Sequence, residues 1–330
     1  MYKNPNFLIA LVVLVVFLAL GIYLGRQYTS ALGVEFYSVC ARSMERIIAG
    51  GQGDVYDFAG VEEFEEPDVY NLALYRVEGN VITDPVFESV PADLKDEQND
   101  LSLQNHAWEV FTELIPPGNR QMVAQFNVFT DGVDNTLAAV DVIQDDISSW
   151  KLEVDIADLE NKDAFIFTLI HEYAHLLTLD SSQVTPDQDL ANDPYSLVLQ
   201  TEKAVLCPSY FTGMGCSHPD SYIHAFYKRF WTGINDEWED VDAIQYQPDA
   251  NVNYYNALYD FYRTHRAQFV GDYAVTHPTE DIAESFTYFV FSPKPMGNSI
   301  REQKIRFFYE YPELVRIRSE ILKGTCSSNN

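Results

Sequence analysis

The chain has 330 residues, enough for one large domain or two small ones. Hydrophobic residues make up 47% and aromatic residues 14%, which supports a packed core and excludes a disordered chain. Fifty acidic against 21 basic residues give a net charge of −29, which argues against nucleic acid as a partner, since phosphate backbones need a basic surface. The same charge would keep the protein soluble or steer cationic substrates toward it.

The N-terminus reads as a separate unit. Residues 7–25, "FLIALVVLVVFLALGIYLG", carry no charge and would cover roughly 28 Å as a helix, about one hydrocarbon core. The length favours an uncleaved signal anchor over residues 1–29, in contact with the lipid bilayer. A signal peptide cut near "SALG" at 30–33 is the alternative and would make the protein secreted. Lys3 before the span and an acidic domain after Arg26 place the domain outside the cytoplasm. Residues 30–68 read as a juxtamembrane helix ending at Gly50-Gly51, followed by an acidic linker.

Further along, residues 69–82, 121–132, 136–143 and 150–159 show strand patterns, and 103–115 a helix that stops at Pro116-Pro117. At Asn161 the period changes to that of a helix, with Asn161 or Asp163 as its cap. Residues 181–250 are rich in Ser, Pro, Asp and Gly at their start and predict a loop-rich insertion. Cys207 and Cys216 bracket a loop within it that a disulfide would staple in an oxidising compartment. Cys40 and Cys326 remain as a second candidate pair. Helical patterns follow at 221–234, 252–269, 279–291 and 298–322. Strands first and helices last predict an α+β domain with a small sheet and a mainly helical C-terminal half.

The chemistry concentrates in "TLIHEYAHLLTLD", residues 168–180. His171 and His175 lie one turn apart on one face, so both imidazoles can reach one ion. Glu172 lies about 100° round the helix, where it can approach a water on that ion without ligating it. This is the HExxH arrangement of zinc metallopeptidases. A catalytic zinc needs a third protein ligand. The continuation that would put Gly and His or Asp six and ten residues after His171 meets Leu177 and Ser181 instead. A later helix must supply the ligand, and "TEDIAESF" at 279–286 offers Glu280 and Glu284 on one face, with Thr279 as a possible cap. One carboxylate can bind zinc while the other holds a ligating imidazole.

HExxH followed downstream by "YAVTHPTEDIAESF" resembles the anthrax lethal factor type of gluzincin, with Tyr273, Glu280, Ala283, Glu284 and Phe286 in register. The resemblance implies a zincin-like catalytic domain over residues 69–325 and one catalytic Zn2+. It implies Glu280 as third ligand, Glu284 as its support and Tyr273 as a hydrogen-bond donor to the oxyanion. His175 and Glu280 stand 105 residues apart, a separation lengthened by the 181–250 insertion, and His277 stands near the Asn of the family pattern. His277 is an accessory donor to substrate or a competing ligand. The strand at 150–159 suits an edge that binds extended peptide. The expected protein is a membrane-anchored, extracytoplasmic zinc endopeptidase acting on peptide or protein substrates. The rivals are a peptidoglycan amidase of the same chemistry and a catalytically silent binding ectodomain. The retained Glu172 speaks against the last, since binding needs no general base.

Overall fold

A computed structural model describes residues 40–51, 67–133, 136–247 and 250–327. The chain divides into two compact units, Met1–Met44 and Glu45–Asn330. Of the first, residues 40–44 are described and are helical. The predicted membrane span at 7–25 lies outside the described residues, and no helix among those described is long and apolar enough to cross a membrane.

The second unit is α+β. It opens with helical residues 45–51 (α1). A five-stranded sheet follows, built from β1 (Tyr70–Glu78), β2 (Val81–Phe87), β3 (Val123–Thr130), β4 (Ala138–Ile143) and β5 (Asp146–Asp155) in the order β2-β1-β3-β5-β4. The β3–β5 pair is parallel and the other pairs are antiparallel. Residues 69–82, which predict one strand, are in fact most of a hairpin. Gly79, at φ 65°, takes the first place of its two-residue turn, where a left-handed backbone matches the twist of the strands. The alternation Trp150, Leu152, Val154 turns one face of β5 into the core. Opposite it, α2 (Lys95–Asn99) leads into α3 (Leu101–Leu114), capped by the Asp100 side chain on the Leu103 amide. Trp108 of α3 packs its ring 5.2 Å from Phe126 of β3.

The rest is mostly helical. The central helix α4 (Lys162–Leu179) is capped by Asn161, one of the two caps the sequence offers, through the Ala164 amide. Fourteen of its 18 residues are buried, so it runs through the core rather than along it. The 181–250 stretch is less loop-like than its composition predicts. It forms β6 (Val184–Pro186), α5 (Gln188–Asn192), α6 (Leu197–Leu206), β7 (Gly215–Ser217), α7 (Tyr222–Phe230) and α8 (Asn235–Asp242). Asp187 caps α5, and α6 buries none of its residues. Then come α9 (Ala250–His265), α10 (Pro278–Phe291), α11 (Ile300–Phe307) and α12 (Pro312–Ser327). The predicted single helix at 298–322 is two, because Pro312 starts a new one.

Cys207 and Cys216 form a disulfide with Cα atoms 5.4 Å apart; Cys40 and Cys326 are each in the oxidised, disulfide-bonded state. The 207–216 link closes a short loop, for which chain entropy gives about 3 kcal/mol at most. A Cys207→Ser/Cys216→Ser variant should therefore melt several degrees lower. Limited proteolysis should find new cuts within 207–216, and an unchanged digestion pattern would show that the link constrains nothing.

Candidate metal centre

His171, Glu172 and His175 lie mid-way along α4 with relative exposures of 5, 7 and 8%. Burying three ionisable groups in an otherwise apolar helix is costly unless they are paired or bind a cation. The pairing comes from α10, which packs along α4. Pro278 opens α10 at its first position, where its missing N–H costs nothing. The residue that caps it is His277, not Thr279: its Nδ1 accepts from the Thr279 amide at 3.2 Å and meets Thr279 Oγ1 at 2.6 Å.

From this start Glu280 and Glu284, one turn apart, both meet His171. Glu280 Oε2 lies 3.0 Å from His171 Nε2 and 3.2 Å from His175 Nε2, and the two Nε2 atoms are 3.0 Å apart. Three donor atoms thus form a nearly equilateral triangle. A tetrahedral ion with bonds near 2.0–2.1 Å would hold its ligand atoms about 3.3 Å apart. The triangle fits a small tetrahedral cation with an adjustment of a few tenths of an ångström. The Glu172 carboxylate lies within 4.8 Å of one nitrogen of each imidazole, so His171, Glu172 and His175 alone also form a buried group able to bind a metal ion. The nearer approach of the Glu280 carboxylate makes it the better third donor.

Behind the triangle, Glu284 Oε1 accepts from His171 Nδ1 at 3.0 Å. A proton held on Nδ1 leaves the Nε2 lone pair free for a cation. Gly271 backs this carboxylate, and a Cβ there would sit 3.3 Å from Glu284 Oε2. His175 has no such support: its Nδ1 is buried and hydrogen-bonds to none of the described residues.

The electrostatics favour positive charge at the triangle. Burial works against protonation of His171, yet the hydrogen-bonded carboxylates of Glu280 and Glu284 outweigh it and hold its pKa well above the usual value. Burial would raise the Glu280 pKa, but His175 and His171 overcome it and hold the carboxyl well below the ordinary range. A divalent cation would meet the same demand that the proton on His171 meets. Glu172 differs. Burial raises its pKa to about 7 against the pull of His175 and His171, with Glu280 and Asp141 adding to the rise. Burial also pushes His277 down to about 4, so its imidazole is neutral at pH 7.

Tyr273 sits in a short 3-10 turn before α10, half-buried, with its ring centroid 5.6 Å from that of His171. Two residues near the centre carry no sequence signal. Asp141 of β4 reaches Glu172 electrostatically, and the buried Tyr210 hydroxyl of the disulfide loop feels the charge of Glu280. Their proximity depends on long-range folding that no local spacing records. Of the remaining histidines, His106 pairs with Glu109, His218 with Thr185 and the Ser182 carbonyl, and His265 with Glu237.

The expected peptide edge is corrected. Residues 150–159 fall mostly in β5, which is paired on both sides; the sheet's edges are β2 and β4, and β4 is the edge beside β5. A cleft of about 610 Å³ lies between the β4–β5 hairpin and the insertion, lined by Asp141, Val142, Leu179, Val184, Leu190 and Tyr195 among others. It lies beside the triangle rather than over it, since none of His171, His175 and Glu280 lines it. Comparison with known protein families, with characterised proteins and with solved structures finds no match.

Proposed function

We propose that the chain is a metal-dependent hydrolase. Within that class it is a zinc endopeptidase of gluzincin type with a zincin-like domain, anchored by residues 7–25 and working outside the cytoplasm. The convergence of His171, His175 and Glu280 on one point, with Glu284 behind His171, is the observation that carries this reading. The oxidised state of all four cysteines supports the compartment.

Bound zinc would supply a Lewis acid that polarises the scissile carbonyl and eases ionisation of water. The protein's own groups do the rest. His171, His175 and Glu280 hold the ion, and Glu284 fixes the His171 ring. Glu172 accepts the proton of the attacking water and passes it to the leaving amine. Tyr273 donates to the carbonyl oxygen as negative charge grows there. The alternative donor, His277, is already engaged through Nδ1 with Thr279. An extended substrate adds to the free edge of β4, next to Asp141.

The test uses the full-length chain in detergent, stripped with chelator and reloaded with zinc. About one zinc per chain is expected, with cleavage of a peptide library that chelator abolishes. Absence of zinc uptake would sink the reading. Cleavage of muropeptides with no cut in the peptide library would move it to an amidase.

Tyr273 gives a separate expectation. A donor that acts only as charge develops contributes little to binding of ground-state peptide. Tyr273→Phe should keep the metal and KM and lower kcat on the order of 10²-fold. Full turnover in the Phe variant would reduce Tyr273 to packing against His171.

A further inference from the structure

A second charged group lies on another side of α10 and takes no part in this chemistry. Asp281 and Lys304 both have fully buried side chains. Lys304 Nζ stands 2.6 Å from Asp281 Oδ2, an ion pair poorly aligned for a hydrogen bond. Trp231 Nε1 donates to the same oxygen at 2.8 Å. The ammonium also lies 4.1 Å from the Phe269 ring centroid and about 6 Å from those of Trp231 and Phe226. The first turn of α10 is thus gripped by Lys304 of α11 and by Trp231, the residue that ends α7.

Stability alone gives a poor account of this cluster. Desolvating two charges offsets most or all of their attraction, and apolar groups of similar volume often serve a fold as well or better. What a buried pair does supply is direction, because it can be satisfied in only one arrangement. Asp281 directly follows Glu280, so its side chain leaves the helix about 100° away from that of Glu280. A helical carboxylate lies roughly 6 Å from the helix axis, so a 10° rotation moves it about 1 Å. That is several times the tolerance of about 0.2 Å on a metal–ligand bond.

We propose that the Asp281–Lys304–Trp231 cluster is a positioning device that fixes the rotation of α10 so that Glu280 and Glu284 meet His171. The inference rests on the reading of Glu280 and Glu284 as the metal-binding face. Asp281, Lys304 and Trp231 touch neither substrate nor ion and act through Glu280.

The test compares wild type with an Asp281→Asn/Lys304→Met double variant, as full-length chains in detergent. Asn keeps an acceptor for Trp231, and Met fills most of the lysine volume. Three quantities are read: the melting temperature without metal, the zinc dissociation constant by chelator competition, and the NMR signal of the His171 imidazole N–H bonded to Glu284 in metal-free protein. The double variant should melt within a few degrees of wild type, bind zinc about 10-fold or more weakly, and lose or shift the His171 signal. Wild-type zinc affinity with an unmoved His171 signal overturns the proposal. Should the double variant fail to fold, Trp231→Phe decides. A several-fold weaker zinc affinity supports the proposal, and an unchanged one overturns it. Should wild type itself take up no zinc, the metal reading fails, and the His171 signal alone decides the positioning role. Its loss in the double variant supports that role, and its persistence rejects it.

Discussion

Glu172→Gln is expected to leave the zinc in place and to lower turnover roughly 10³-fold, within the range for removing a positioned acid–base group. Gln matches Glu in size, so a residue only 7% exposed can be replaced without a cavity or a clash. What it lacks is the ability to take a proton. Metal should remain because the triangle of His171, His175 and Glu280 does not depend on Glu172. Without metal the variant should melt no lower than wild type, since it removes an ionisable group that burial already disfavours in its charged form. Three measurements check this: zinc content, melting temperature and peptide turnover. Turnover near the wild-type rate would show that Glu172 is not the base. Loss of zinc would make it a ligand instead, and the donor set would become His171, Glu172 and His175.

The centre is largely legible in the sequence because its parts are local. His171 and His175 share a face by their spacing of four, and so do Glu280 and Glu284. The uniformly apolar surroundings of α4 mark a buried helix, which makes its three polar residues conspicuous. The meeting of the two helices is not local, since Glu284 and His171 are 113 residues apart. The need of a catalytic zinc for a third ligand, together with the lethal factor-type resemblance, pointed to that meeting; no spacing does.

Other features escaped for identifiable reasons. The edge position of β4 depends on β5 slotting between β3 and β4, and strand patterns say nothing of order in a sheet. The β1–β2 hairpin carried a Gly79-Asn80 signal that the weak alternation on either side concealed. The Asp281–Lys304 pair gave no signal at all. Asp281 reads as one more acidic residue in a first turn, where the helix dipole welcomes it, and Lys304 reads as a surface residue of a polar helix. Folding reverses both impressions.

Glu280→Ala should abolish zinc binding, while Glu284→Ala should only weaken it, by about 10–100-fold. The two residues differ in what they face. Glu280 Oε2 stands at one corner of the donor triangle, against both Nε2 atoms. Removing it leaves two imidazoles, and two protein ligands fall short of the three that hold a catalytic zinc. Glu284 stands behind the triangle, on the Nδ1 side of His171 alone. Without it the ring keeps its place on α4 but loses the acceptor that fixes its proton and orientation. The cation then binds a less basic, less ordered imidazole. Glu280→Gln sharpens the comparison, because it keeps the shape and removes the charge. Its zinc affinity should fall between those of wild type and Glu280→Ala. Chelator competition on the full-length variants measures all three constants on one scale. A reversed order, with Glu284→Ala losing the metal and Glu280→Ala retaining it, would make Glu284 the ligand. His171 would then have to bind through Nδ1, and α10 would have to turn relative to α4.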